Sequence, residues 1–103
     1  MIHSNHYVDE EGRPAGGTSY GRGFAIGWQN GPIGRGEGRA EPNGAFVEDV
    51  IAAARDRLSH YQSGPFASPH NDEAIRHLTE ATAALNRRTA EREARAVEGT
   101  LER

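Results

Sequence analysis

The stretch Trp28-Gln-Asn-Gly-Pro-Ile-Gly-Arg-Gly-Glu-Gly-Arg-Ala-Glu-Pro-Asn-Gly-Ala-Phe-Val-Glu-Asp-Val-Ile51 separates two regimes of the chain. Before it the sequence reads as short strands and turns, and after it as helix. Asn30-Gly31-Pro32 is a strong turn signal, because each residue favours backbone angles that break regular structure. Glycines 34, 36 and 38 then alternate with charge, and Arg35 and Arg39 give the loop two planar cations suited to phosphate. As a nucleotide motif this run is weak alone. It lacks the Lys-Ser/Thr of a phosphate loop and the strand–turn–helix context of a dinucleotide fold. Pro42-Asn43 reads as a helix start, with Asn43 as N-cap and Glu48 and Asp49 in the early turns, where carboxylates favour the helix dipole.

Downstream, Val47, Ile51, Ala54, Leu58 and Tyr61 recur at helical spacing and predict one apolar stripe ending before Ser63-Gly64-Pro65. Ser68 reads as the N-cap of a second helix, with Pro69 at its first position, where the missing N–H costs nothing. Ile75, Leu78, Thr82, Leu85 and Thr89 form its stripe. Two stripes joined by a short loop predict an antiparallel αα-hairpin, and alanines 81, 83, 84 and 90 allow close approach. Arg88, Arg92 and Arg95 share one face of the later turns.

Upstream, His6–Val8, Thr18–Tyr20 and Gly23–Gln29 read as strands, with a turn composition over Gly12–Gly17. Phe24, Ile26 and Trp28 alternate with Gly23, Ala25 and Gly27, which places large residues on one face and almost nothing on the other. The predicted fold is therefore α+β: a small N-terminal antiparallel β-sheet followed by a long antiparallel αα-hairpin. The organisation expected is one domain over 1–103, with strands and glycine-rich loop over about 1–41, hairpin over 42–96, and a loosely ordered tail over 97–103.

A chain of 103 residues with 35% hydrophobic residues and 13 glycines has a thin core, so a homo-oligomer that completes it is expected. Cysteine is absent, which excludes disulfides and thiolate chemistry. The five histidines form no paired metal-ligand motif. A net charge of −3 argues against a general DNA or RNA partner. All twelve basic residues are arginine, a planar fork that grips phosphate or carboxylate in two places and stacks on rings. No apolar run reaches membrane-spanning length and no secretory signal is visible, so no membrane partner is expected.

No nucleophile, base and orienting group occur together, so no catalytic residue, metal or cofactor is assigned. Binding chemistry is better represented. Trp28, Phe46, Tyr61 and Phe66 are rings that can stack on bases. Gln29, Asn30, Asn43 and Asn71 are amides that can pair with base edges and ribose hydroxyls. Arginines 35, 39, 88, 92 and 95 match phosphates. The candidate ligand-binding set is Arg35, Asn43, Tyr61, Phe66, Asn71, Arg88, Arg92 and Arg95. A cyclic-nucleotide-cleaving enzyme and a small helical protein-interaction or assembly factor stand as alternatives.

Several runs also resemble a known family. Trp28-Gln-Asn-Gly-Pro-Ile-Gly-Arg-Gly-Glu37, Glu41-Pro-Asn-Gly-Ala-Phe-Val-Glu-Asp-Val-Ile51, Arg57-Leu58, Tyr61-Gln-Ser63, Ala74-Ile75 with Leu78, Arg88-Thr89, Arg92-Glu-Ala-Arg95 and Val97-Glu-Gly-Thr100 look like the phage anti-Thoeris sponge family, type one. The hairpin half is similar to the anti-CBASS cyclic-oligonucleotide sponges. The resemblance implies strands followed by two antiparallel helices, assembly into a dimer or hexamer, and work in the cytoplasm of the infected bacterial host. It further implies that the protein holds cyclic ADP-ribose isomers (glycocyclic ADP-ribose, gcADPR) intact, with cyclic di- and trinucleotides as possible further ligands. Its ligand contacts, carried onto this chain, fall on Arg35, Tyr61, Asn71 and Arg88. Ala96 departs from the family's glycine, and Thr82-Ala-Ala84 from its bulkier residues. The expected site lies between subunits, with Tyr61 and Asn71 from one chain and Arg35 or Arg88 from either.

Overall fold

A computed structural model describes residues 1–31 and 41–101, with side chains through Arg95. The chain divides into two compact units, Met1–Val47 and Glu48–Arg103. The first holds strands β1 (His3–Val8), β2 (Pro14–Gly21) and β3 (Phe24–Trp28), and the helices that follow are α1 (Val47–Gln62) and α2 (Pro69–Leu101). The α+β class predicted from the sequence is the observed one.

The three strands form one antiparallel sheet in the order β1-β2-β3. Ser4 pairs with Ser19, and Ser19 with Ile26, so these residues share a face with Trp28, which pairs with Gly17. The large residues of β3 thus lie beside the small residues of β2, as the alternation of Phe24, Ile26 and Trp28 predicts. Ser19, only 6% exposed, is the hub of this face. Its Oγ accepts a hydrogen bond from Trp28 Nε1 at 2.8 Å and lies 2.8 Å from Ser4 Oγ. On the other face His3 stacks on its partner Tyr20, with ring centroids 5.2 Å apart.

Two differences from the sequence reading have local causes. The turn joining β1 to β2 falls at Asp9–Arg13, so Pro14–Gly17, read as turn residues, belong to β2. Asp9 sets this turn. Its Oδ1 accepts from the backbone N–H of Glu11 and of Arg13, both at 2.9 Å, and Gly12 supplies a φ of 81° that other residues rarely adopt. β1 and β2 are also longer than the runs His6–Val8 and Thr18–Tyr20, because cross-strand pairing recruits neighbouring polar and glycine residues, while β3 lies within Gly23–Gln29 and is one residue shorter at each end.

In the second unit Ser68 caps α2 as expected, its Oγ accepting from His70 N at 3.0 Å. Asn71 Nδ2 donates to Gln62 Oε1 at 3.0 Å, and Arg55 Nη1 to Thr79 Oγ1 at 3.4 Å. Going back along α1 and forward along α2 between these contacts covers nearly equal lengths, so the helices run antiparallel. Ile51, Leu58 and Tyr61 on α1 and Ile75, Leu78, Thr82 and Leu85 on α2 are half-buried. Ala54, placed in the stripe from sequence, is exposed, and Arg55 is half-buried in its stead. Its guanidinium reaches Thr79, and a stem of this length can be shielded while its charged head stays in water. Val47 is 49% exposed, and among the described residues no hydrophobic side chain is fully buried. At 33 residues against 16, α2 runs well past the start of α1, and its helical course to Leu101 includes residues expected to form a loose tail.

Two outcomes follow for the sheet. Ser19→Ala removes the acceptor for Trp28 Nε1 and is expected to cost about 1–3 kcal/mol, the usual penalty for stranding a shielded polar group. Trp28, the sole tryptophan, reports this directly by its fluorescence in a denaturant titration. The second concerns acid. The backbone N–H of Arg13 above all, with those of Glu11 and Gly12 and the Arg13 side chain, holds the Asp9 carboxyl below its ordinary value of 3.8. A carboxyl depressed on folding stabilises the fold above its unfolded value, and that contribution disappears as pH falls through the lower folded value. An NMR titration of Asp9 is expected to give a midpoint below 3.8, and Asp9→Asn is expected to flatten the loss of stability below that pH.

Candidate functional site

Candidate residues occur at three places. The first is the neck from which the glycine loop departs. Residues 32–40, including Arg35 and Arg39, lie outside the described residues, but both ends of the loop are described. Asn43 was expected to cap α1. Instead α1 begins at Val47, and the Asn43 amide bonds to Asn30 twice. Asn30 N donates to Asn43 Oδ1 at 2.8 Å, and Asn43 Nδ2 donates to Asn30 O at 3.0 Å. An amide carries the same donor and acceptor as a peptide bond, so it can pair with backbone as a strand would.

Gln29 completes the neck. Its Oε1 accepts from Asn43 N at 2.9 Å and from Gly44 N at 3.1 Å. Ala45 adds a short parallel bridge to Trp28, with Ala45 N donating to Gly27 O at 2.7 Å and Gln29 N to Ala45 O at 2.9 Å. Gly44 is required here, because a Cβ on it would lie 2.6 Å from the Trp28 carbonyl. Of the amides read as ligand-pairing groups, Gln29 and Asn43 are thus committed to holding the loop's two ends together.

The second place is the tip of the hairpin. Tyr61 is half-buried at the end of α1, while Phe66 on the connecting loop is 73% exposed. Their rings meet edge to face with centroids 6.3 Å apart. Arg57, one turn back, sets its guanidinium 5.1 Å from the Tyr61 ring centroid. A cation over a ring both gains from the ring's quadrupole and restrains it. Asn71 stands beside this cluster on the first turn of α2, its Nδ2 donating also to Phe66 O at 2.9 Å. The tip therefore brings Tyr61, Phe66 and Asn71 together and adds Arg57 and Gln62, which residue-type reasoning left out of the site. Arg57 carries a signal in its spacing, one helical turn before Tyr61, whereas Gln62 shows its role only through its contacts with Ser68.

The third place is the face of α2 carrying Arg88, Arg92 and Arg95. All three are exposed, and among the described residues none takes part in an ion pair. Asn71 and Arg88 are separated by about 26 Å along the helix axis, at about 1.5 Å per residue. The hairpin of one chain therefore holds an aromatic–amide cluster and a cationic stripe too far apart to grip one small molecule.

A small sheet followed by a helical hairpin, with rings and amides at its tip and arginines along its longer arm, defines a class of compact α+β hairpin proteins. The family described as Acb2/Tad1, hairpin domain, matches residues 21–90, and the chain belongs to it. A relative from Bacillus phage SBSphiJ7, Thoeris anti-defense 1, is 49% identical over 61 residues, which is 59% of this chain and 43% of that protein. The matched part thus spans less than half of that relative. The resemblance seen in the sequence motifs is the relationship these comparisons find.

The neck can be tested alone. Asn43→Ala deletes both bonds to Asn30 and is expected to cost about 1–2 kcal/mol, from two partly solvated hydrogen bonds of modest net worth each. Asn43→Asp is expected to be no better, since it sets an oxygen against the Asn30 carbonyl. Denaturant midpoints of the three proteins, followed by Trp28 fluorescence, decide the matter.

Proposed function

We propose that this protein is a phage anti-defence sponge: it binds glycocyclic ADP-ribose, an immune signal of the Thoeris type, and withholds it without cleaving it. The observation that carries this reading is the tip cluster, where Tyr61, Phe66, Arg57 and Asn71 set a ring pair, a cation and an amide side by side in a chain of the Acb2/Tad1 hairpin family. The name of the phage relative supports the Thoeris assignment.

The ligand has two linked phosphates, an adenine and two riboses. It calls for a ring to stack on, amides for the hydroxyls and arginine forks for the phosphates. The tip offers the first two. The arginines that would serve the phosphates are Arg88, Arg92 and Arg95, with Arg35 in the glycine loop. Because the tip and the stripe stand about 26 Å apart along α2, the site is completed on this reading by a second copy of the chain. A homo-oligomer, dimer or hexamer, follows, and it also covers side chains such as Phe24, Val47 and Phe66 that the single chain leaves exposed. Cyclic di- and trinucleotides are further candidate ligands, and the cytoplasm of the infected host is the place of action.

Incubating the protein with glycocyclic ADP-ribose, then denaturing it with heat, is expected to return the nucleotide chemically unchanged. Release of ADP-ribose would overturn the sponge in favour of a cleaving enzyme. Neutralising a signal by stoichiometry requires tight binding, of order nanomolar, equivalent to about −12 kcal/mol. Tyr61→Ala and Arg88→Glu are each expected to weaken calorimetric affinity by about 2 kcal/mol or more, the range of buried aromatic and arginine anchors. Unchanged affinity in both would favour a protein-interaction role for the hairpin instead, and a strict monomer by light scattering would contradict a shared site.

A further inference from the structure

We propose that Gln62 is a positioning residue that fixes the Asn71 amide, and that Asn71 therefore accepts a hydrogen bond from the bound nucleotide. The group it reads is then a ribose hydroxyl or the adenine amine, not a phosphate oxygen. The identity of the ligand rests on the reading in the preceding section; the orientation of the amide rests on local geometry alone.

The orientation is forced from the backbone outward. Ser68 N is a donor and lies 2.8 Å from one terminal atom of Gln62, so that atom is Oε1. Ser68 O is an acceptor and lies 3.0 Å from the other, so that atom is Nε2. Neither assignment can be exchanged without setting donor against donor and acceptor against acceptor. Gln62 Oε1, thus identified, lies 3.0 Å from one terminal atom of Asn71, and the Phe66 carbonyl oxygen lies 2.9 Å from the same atom. Two acceptors converge on it, so it is Nδ2, and both of its protons are used.

What remains is Asn71 Oδ1, which has no partner among the described residues. An asparagine amide ordinarily offers a ligand either of its ends, and rotation exchanges them at little cost. Here a flip would break two hydrogen bonds and set Oδ1 against two acceptors, so Asn71 behaves as a one-sided acceptor. A phosphate oxygen, itself only an acceptor, would be repelled. Hydroxyls and the exocyclic amine are the donors that an adenine nucleotide carries. Gln62 need not touch the ligand, because its effect passes through Asn71.

The test uses the whole chain, labelled with nitrogen-15, and glycocyclic ADP-ribose as the probe. In the free protein the Asn71 side-chain NH2 is expected to exchange slowly with solvent, and Gln62→Leu is expected to speed that exchange. On adding the nucleotide, the NH2 resonances are expected to move little. Asn71→Ala is expected to weaken binding about tenfold, the upper range for one hydrogen bond. Counterparts of the nucleotide lacking the adenine amine or one ribose hydroxyl at a time supply the second arm, and one of them is expected to bind wild type and Asn71→Ala equally. An equal loss on Asn71→Ala for every counterpart, or a large ligand-induced shift of the NH2, would overturn the proposal. Circular dichroism checks that Gln62→Leu keeps its helices; if it does not, Asn71→Ala and the counterparts carry the test. A wild-type protein that fails to bind the probe overturns the function proposed above, whereas rapid NH2 exchange in the free protein overturns the fixed amide alone.

Discussion

Shortage of burial is the constraint to which the rest of this structure responds. Among the described residues no hydrophobic side chain is fully buried, and the only buried one is the hydroxyl-bearing Ser19. Half-buried stripes such as Ile51, Leu58, Ile75 and Leu78 hold two helices together, but such contacts are non-directional and leave turns and strand ends undetermined. Direction comes from polar side chains that pair with backbone or with one another. Ser19 gathers Ser4 and Trp28 on the sheet, Gln29 and Asn43 close the neck, and Gln62 clasps Ser68 and Asn71 at the tip. Each bond contributes little in net free energy, yet an unmade partner costs more than the bond gains. Such groups select one conformation more than they stabilise it.

That device divides residues of the same type into two roles. Asn43 and Asn71 are both asparagines in a turn before or at the start of a helix, and both read as candidates for ligand recognition. Asn43 spends oxygen and nitrogen together on Asn30. Asn71 spends only its nitrogen, on Gln62 and Phe66. Both ends of the Asn43 amide are anchored to the fold, whereas Asn71 keeps an oxygen without a partner among the described residues. The same distinction applies to the cations. Arg13 is tied to Asp9 and Glu11 in the first turn, and Arg76 stands near Glu80. Arg88, Arg92 and Arg95 share no such pair among the described residues.

Much of the fold was legible because its signals are local. The large–small alternation of β3, the Ser68-Pro69 start of α2 and the stop at Ser63-Gly64 each depend on residues within a turn of one another, and each stands where it was read. The misreadings share the opposite property. Pro42-Asn43 has the composition of a helix start, but the partners of Asn43 lie thirteen residues away at Asn30, and no local pattern marks that pairing. Hydrophobicity places Ala54 in the α1 stripe, whereas the half-buried residue is Arg55, a charged residue that such a reading leaves in solvent. Gly16 and Gly17 look like turn residues until β1 and β3 are set beside them. At the site, the ring and amide types were visible from sequence. The clamp that orients them was not, because Gln62 is an ordinary polar residue at a helix end until the loop returns Ser68 to it.

The separation of tip and stripe bears on how a chain of this size can act by stoichiometry. On the function proposed here, one hairpin supplies the ring and amide and another supplies the arginines. If two copies meet by a two-fold rotation, every contact made by the first on the second is repeated by the second on the first. Two half-sites on each chain then yield two whole sites per pair, so each chain withholds one ligand although none could do so alone. The division has a kinetic side as well. A ligand held between chains leaves when either the contacts at the tip or the subunit interface opens, so its residence is coupled to the lifetime of the assembly. For a protein that competes with a receptor by holding on, slow dissociation matters more than fast capture, because affinity differences among related complexes lie mostly in the off-rate. On that proposal, one association between thin-cored chains would supply both packing and grip.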